Sequence, residues 1–86
     1  DTYNRYFLRL HVEDRCGVLA EMTEVFAKYH VSIAQIIQKA ARAEGSAEVV
    51  VITAQVREGD FRTAMEELSG RSSVRKISSM LRVYGE

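Results

Sequence analysis

The sequence has no proline, no tryptophan, a single cysteine and no excess of charge of either sign. Each shortage removes a class of protein. One cysteine cannot close an internal disulfide, so a disulfide scaffold is excluded and a reducing, cytoplasmic compartment is expected. Twelve basic and twelve acidic side chains cancel. Binding to a phosphate backbone calls for a positive excess, so nucleic acid is not an expected partner. No apolar run approaches the ~18 residues of a membrane span, so no membrane partner is expected either. The chain opens on Asp1 without a signal-peptide pattern, which fits a fragment or a processed product. No linker, charge block or low-complexity segment divides it.

What is present fits one globular domain over residues 1–86, with 47% hydrophobic and 28% charged side chains. A chain of this size buries only about 60% of the surface its unfolded form exposes, so a lone core is marginal. That favours a homodimer or higher homo-oligomer, or one module of a longer protein.

Residues 6–12 alternate. Tyr6, Leu8, Leu10 and Val12 point one way, and Phe7, Arg9 and His11 the other, as in a half-buried strand. From Gly17 to Tyr29 the period lengthens, and Val18, Leu19, Met22, Val25, Phe26 and Tyr29 form one helical stripe. His30 stands where a helix often ends in a left-handed residue. Val31 to Lys39 reads as a second strand. Its adjacent Ile36 and Ile37 call for a bulge or for a face covered by another chain. Ala40 to Ser46 is a turn. Ala47 to Val56, with four consecutive β-branched residues at 49–52, reads as a central strand with both faces covered. Glu58 to Leu68 is a second helix with Asp60 as its expected N-cap, Phe61, Ala64, Met65 and Leu68 as its stripe, and Gly70 past its end. Ser73 to Tyr84 is a fourth strand, and Arg75, Lys76 and Arg82 suit an edge.

The order strand, helix, strand, strand, helix, strand predicts an α+β, ferredoxin-like βαββαβ sandwich: a four-stranded antiparallel sheet with two helices on one face. Unrelated functions share this fold, so function has to be read from a site. The stretch His11 to Ala20 offers one. Asp14 and Gly17 flank a helix start whose N–H groups lack intrahelical partners and carry the positive end of the helix dipole. Such a corner could hold an amino acid, its carboxylate on the N–H groups and its ammonium on Asp14. The plainer alternative is a turn capped by the Asp14 carboxylate, with Ser32 and Gln35 as solvated strand residues.

Other chemistries are poorly supported. Cys16 at a helix start could be an activated thiolate, but no base stands clearly beside it. A metal site from Cys16, His11 and His30 lacks ligand spacing and a fourth ligand. RNA binding on this fold uses aromatic residues on the central strands, and residues 47–56 have none. A copper carrier would need a second cysteine in the first turn. The chain has no G-x-G-x-x-G nicotinamide fingerprint.

The run Leu8 to Ala20, followed by Val31-Ser32-Ile33, resembles the signature of the ACT domain, a small-molecule regulatory module that usually binds amino acids. The resemblance spans Tyr6 to Tyr84. The runs Val31 to Lys39, Gly45 to Thr53 and Val74 to Val83 further resemble the C-terminal end of bacterial homoserine dehydrogenases, which convert aspartate semialdehyde to homoserine. The resemblance implies feedback control by L-threonine and dimerisation. It implies an NAD(P) cofactor in the parent's catalytic domain, with no cofactor, metal or catalytic residue in this chain. It also assigns ligand contacts by position: Asp14; the backbone of Gly17, Val18 and Leu19; and, from a neighbouring subunit, Ser32 with Gln35. Cys16 stands where the family usually has proline, and His30 where glycine is usual.

Overall fold

In the structure, a computed structural model, residues 3–14, 16–40 and 45–83 are described. Of the expected features, Arg15, residues 41–44 of the turn, and Tyr84 lie outside them. The chain forms β1 (Tyr3–Glu13), α1 (Val18–Lys28), β2 (Ile33–Ala40), β3 (Ser46–Thr53), β4 (Val56–Arg57), α2 (Glu58–Ser69) and β5 (Val74–Val83).

Alternation in β1 places Tyr6, Leu8, Leu10 and Val12 in the core. The same strand lies between β3 and β5, both antiparallel to it, and β2 pairs with β3 at the far edge. The order β2-β3-β1-β5 leaves β2 and β5 as edges, as the charged residues of β5 suggest. Core side chains of β1 and β3 cluster with Val18, Met22, Val25 and Phe26 of α1 and with Phe61, Ala64, Met65 and Leu68 of α2. Both helices therefore cover one face, which is the expected ferredoxin-like sandwich. The stack of Tyr6 on Phe61, with ring centroids 3.8 Å apart, pins α2 to the sheet.

His30 takes φ 64, as its place after α1 predicts. Its N–H donates to the Ala27 carbonyl at 3.1 Å, and the Val31 N–H donates to that of Phe26 at 2.8 Å. This pair of bonds closes a Schellman motif, with Val31 and Phe26 both buried. Val31 is thereby spent on the helix end, and β2 begins later than expected, at Ile33.

Three further expectations change. The third strand ends at Thr53, and Val56–Arg57 pairs instead with Tyr3 and Asn4 of β1. The reason lies in Thr53, whose hydroxyl accepts the Tyr6 N–H at 3.0 Å where a ladder carbonyl would otherwise stand. Asp60 is not the N-cap of α2. Arg57 holds that position, and the Asp60 carboxylate, inside the first turn, accepts from the Arg57 guanidinium at 3.1 Å. The irregularity in β2 falls between Ile33 and Gln35, ahead of Ile36 and Ile37, which pair in regular register with Val51 and Val50.

The second sheet face carries Phe7, Val50, Ile52 and Leu81. Phe7 pairs with Ile52 on one side and Leu81 on the other, and Arg9 with Val50. Val50 is already 7% exposed within the single chain, whereas Leu81 at the edge is 59% exposed. The centre of this face is thus shielded by cross-strand neighbours, among them the Arg9–Glu48 ion pair at 3.2 Å.

Candidate functional site

The turn between β1 and α1 is built by glycine. Gly17 has φ 88, a conformation costly for a residue with a Cβ, and it serves as the N-cap of α1. Its carbonyl accepts the first helical bond, from the Glu21 N–H at 2.9 Å. Among the described residues no side chain caps this helix start. The N–H groups of Val18, Leu19 and Ala20 precede the first intrahelical donor, so they are the ones available to a ligand. The Val18 side chain is buried and Leu19 half-buried, while Asp14, Cys16 and Gly17 are exposed. The apolar side chains thus anchor the helix start and leave its polar end open to water.

Asp14 is fixed through its backbone, its N–H donating to the Gly45 carbonyl at 3.0 Å. Its carboxylate lies on the exposed side of the turn. Glu21, the acidic residue of the first turn of α1, is drawn away from the helix start. One of its oxygens accepts from Arg71 at 3.0 Å and the other from the Ser73 hydroxyl at 2.9 Å. The positive end of α1 therefore faces solvent with its nearest helical carboxylate paired elsewhere.

Asp14, Gly17, Val18 and Leu19 are brought together, whereas Ser32 and Gln35 are not. The turn follows Glu13, which pairs with Ser46 at the start of β3, whereas Ile33, next to Ser32, pairs with Thr53 at its end. Seven strand rises of about 3.3 Å separate those ends, about 23 Å. Ser32 is exposed, and its carbonyl accepts the Ala54 N–H at 2.9 Å. Gln35 is exposed on β2, opposite Ile52. Neither can touch a ligand held by Asp14 of its own chain. Similarly, α1 separates Cys16 from His30 by about 16 Å, so no single ion could bind both. Among the described residues no group of three His, Cys, Asp or Glu side chains is placed to hold a metal. No helix there is long and apolar enough to cross a membrane.

The residues that hold the turn from outside, Gly45, Arg71 and Ser73, carry no signal in the sequence except the i,i+4 spacing of Glu67 and Arg71. A separate groove of about 260 Å³ lies between α2 and β5, lined by Tyr6, Phe61, Met65 and Met80, with Glu58, Arg62 and Arg82 at its sides. It shares no residue with the turn.

A family model described as the ACT domain matches residues 6–71. A homoserine dehydrogenase of Synechocystis sp. is 37% identical over 83 residues, covering 96% of this chain and 19% of that protein. One of Bacillus subtilis is 34% identical over 86 residues, covering 99% and 20%. The chain therefore spans about a fifth of the length of these curated relatives. Among solved structures, a homoserine dehydrogenase from Thiobacillus denitrificans superposes with a TM-score of 0.82 at 23% identity, covering 94% of this chain and 17% of that one. The ACT domain of a GTP pyrophosphokinase from Chlorobium tepidum superposes with a TM-score of 0.64 at 21% identity, covering 95% and 100%. These two likenesses concern the fold.

Proposed function

Because the chain belongs to the ACT domain family, with homoserine dehydrogenases among its relatives, we propose that it is the regulatory part of such an enzyme and binds L-threonine between two copies of itself. Reduction of aspartate semialdehyde with NAD(P) belongs, in this reading, to the remainder of the enzyme.

The observation that carries the reading is the exposed, uncapped start of α1 beside Asp14. The N–H groups of Val18 and Leu19 take the threonine carboxylate, and the Asp14 carboxylate takes the ammonium. Ser32, with Gln35, comes from the second copy and reads the side-chain hydroxyl. The ~23 Å between Ser32 and the turn of the same chain makes a second copy a requirement of this arrangement. Occupancy of the site then joins two chains, and such coupling is typically about 1–3 kcal/mol.

Calorimetric titration of the 86-residue chain with L-threonine and a panel of other amino acids tests the reading. Heat with threonine, together with a dimer in light scattering, supports it. Asp14→Ala should weaken binding roughly tenfold or more, the loss of a charged hydrogen bond, while leaving the dimer intact. Silence with every amino acid well above millimolar concentration sinks it. That result would leave a dimerisation module without a ligand, a role the half-covered apolar face around Phe7, Ile52 and Leu81 could serve. Heat with a different amino acid alone would keep the site and replace its ligand.

A further inference from the structure

The loop at 70–73, between α2 and β5, grips the β1–α1 turn from both sides. The Ser73 carbonyl accepts the N–H of Glu13, the last residue of β1, at 2.9 Å. The Ser73 hydroxyl donates to Glu21, in the first turn of α1, also at 2.9 Å. A single residue thus holds the strand that enters the turn and the helix that leaves it. Ser73 is 1% exposed, so water competes little for these bonds. Arg71 adds a second grip. Its guanidinium donates to Glu21 at 3.0 Å and to Glu67, in the last turn of α2, at 2.8 Å. Glu67 also accepts from the Tyr29 hydroxyl at 2.6 Å and from the Lys28 ammonium at 3.1 Å. Both ends of α1 are therefore tied to the end of α2 and the loop that follows it.

We propose that Ser73 and Arg71 are positioning residues for the β1–α1 turn, setting where the first N–H groups of α1 stand relative to Asp14 and carrying a change at the turn to α2 through Glu21 and Glu67. The consequence for binding rests on the reading of the turn as an amino-acid site. Two features of the turn make an outside hold necessary. Gly17 has no side chain to lock the N-cap, and among the described residues no side chain caps the helix. The second is electrostatic. Left unpaired, the Glu21 carboxylate would oppose an incoming carboxylate one helical turn away, and Arg71 neutralises it. Arg71 therefore acts twice, on the direction of α1 and on the charge at its start.

Ser73→Ala, Arg71→Gln, Arg71→Lys and Glu21→Gln in the 86-residue chain test the proposal by two readouts. Melting curves identify the variants that fold, and Glu21→Gln, the same size and still able to accept from Ser73, is the one least able to disturb packing. The first readout needs no ligand: the amide NMR shifts of Gly17, Val18 and Leu19. They should move in Ser73→Ala and Arg71→Gln, less in Arg71→Lys, and in Glu21→Gln by the loss of the Arg71 pair. Unmoved amides in every folded variant would overturn the proposal. The second readout is the dissociation constant for L-threonine. It should rise roughly tenfold in Arg71→Gln and less in Arg71→Lys, which keeps the charge. In Glu21→Gln, where no charge is left to repel the ligand, it should change less than in Arg71→Gln. Shifted amides with an unchanged dissociation constant in Arg71→Gln would also overturn the proposal. If the unaltered chain takes no threonine, the functional reading fails by itself, and the amide shifts alone decide whether the loop positions the turn.

Discussion

Among the described residues neither helix start has a side-chain cap, yet the two starts differ in what surrounds them. α1 follows an exposed turn, with Gly17 in the left-handed region as its N-cap. α2 follows directly on β4, and its N-cap, Arg57, stays extended. The first turn of α2 carries two carboxylates of its own, Glu58 and Asp60, each paired with an arginine of the same segment. Two acids and their arginine partners from its own sequence thus stand at its positive end. α1 has one acid in its first turn, and Arg71 and Ser73 draw it aside. The difference teaches that helix starts of equal dipole are not equal sites. What decides is where the nearby acids go, and here that is set by residues some fifty positions along the chain.

The largest effect expected from this comparison is on α2. Its start is pinned by the stack of Phe61 on Tyr6, so Phe61→Ala should cost about 3–5 kcal/mol, the ordinary loss for a buried phenylalanine. Urea denaturation at low temperature checks this. A loss under about 1 kcal/mol would mean that the pairs at Glu58 and Asp60 fix α2 without the ring. The start of α1 depends instead on backbone shape. A Cβ at Gly17 would meet nothing within 4 Å, so the penalty for Gly17→Ala is conformational alone, about 1–2 kcal/mol. Gly59, at the second position of α2, also has open space around it but no positive φ. Gly59→Ala should therefore stabilise the chain by about 0.5–1 kcal/mol. Equal effects of the same sign at both glycines, in parallel denaturation curves, would remove the conformational difference between the two helix starts.

The same contrast separates what was legible in the sequence from what was not. The alternation of Tyr6, Leu8, Leu10 and Val12, the stripe of α1 and the left-handed His30 were legible because each is a local matter of residue type and period. The order of elements then leads to the sandwich. The start of α2 is not legible from Asp60, a good capping residue in isolation, because Arg57, three positions earlier, engages its carboxylate. The break after Thr53 was hidden for another reason. A threonine in a β-branched run looks like one more strand residue, and its hydroxyl shows a partner only when Tyr6 is placed beside it. For the candidate site, Asp14 and Gly17 were legible from turn chemistry. The grip of Ser73 and Arg71 was not, because it exists only once β5 lies next to β1.

The smallest effect belongs to the tie between the helices, and it is lost only in acid. The Tyr29 hydroxyl, then Arg71 and Lys28, hydrogen-bond to the charged form of Glu67 and lower its pKa from the ordinary 4.5 to about 2. A carboxyl with a depressed folded-state pKa contributes its full stabilisation above the unfolded value. It loses that contribution as pH falls through the folded one. Glu67→Gln removes the titration and keeps the size. The melting temperature of the unaltered chain should therefore exceed that of Glu67→Gln by a constant margin from neutrality down to about pH 5, and the margin should shrink between pH 4.5 and about 2. Its side chain is 21% exposed, and the paired Lys28 is largely in water, so screening keeps the margin small. A gap that persists undiminished to pH 2 would show that the bonds to Tyr29, Arg71 and Lys28 hold without the charge. The helix start of α1 would then be linked to α2 by geometry alone, and acid would leave the difference between the two helix starts unchanged.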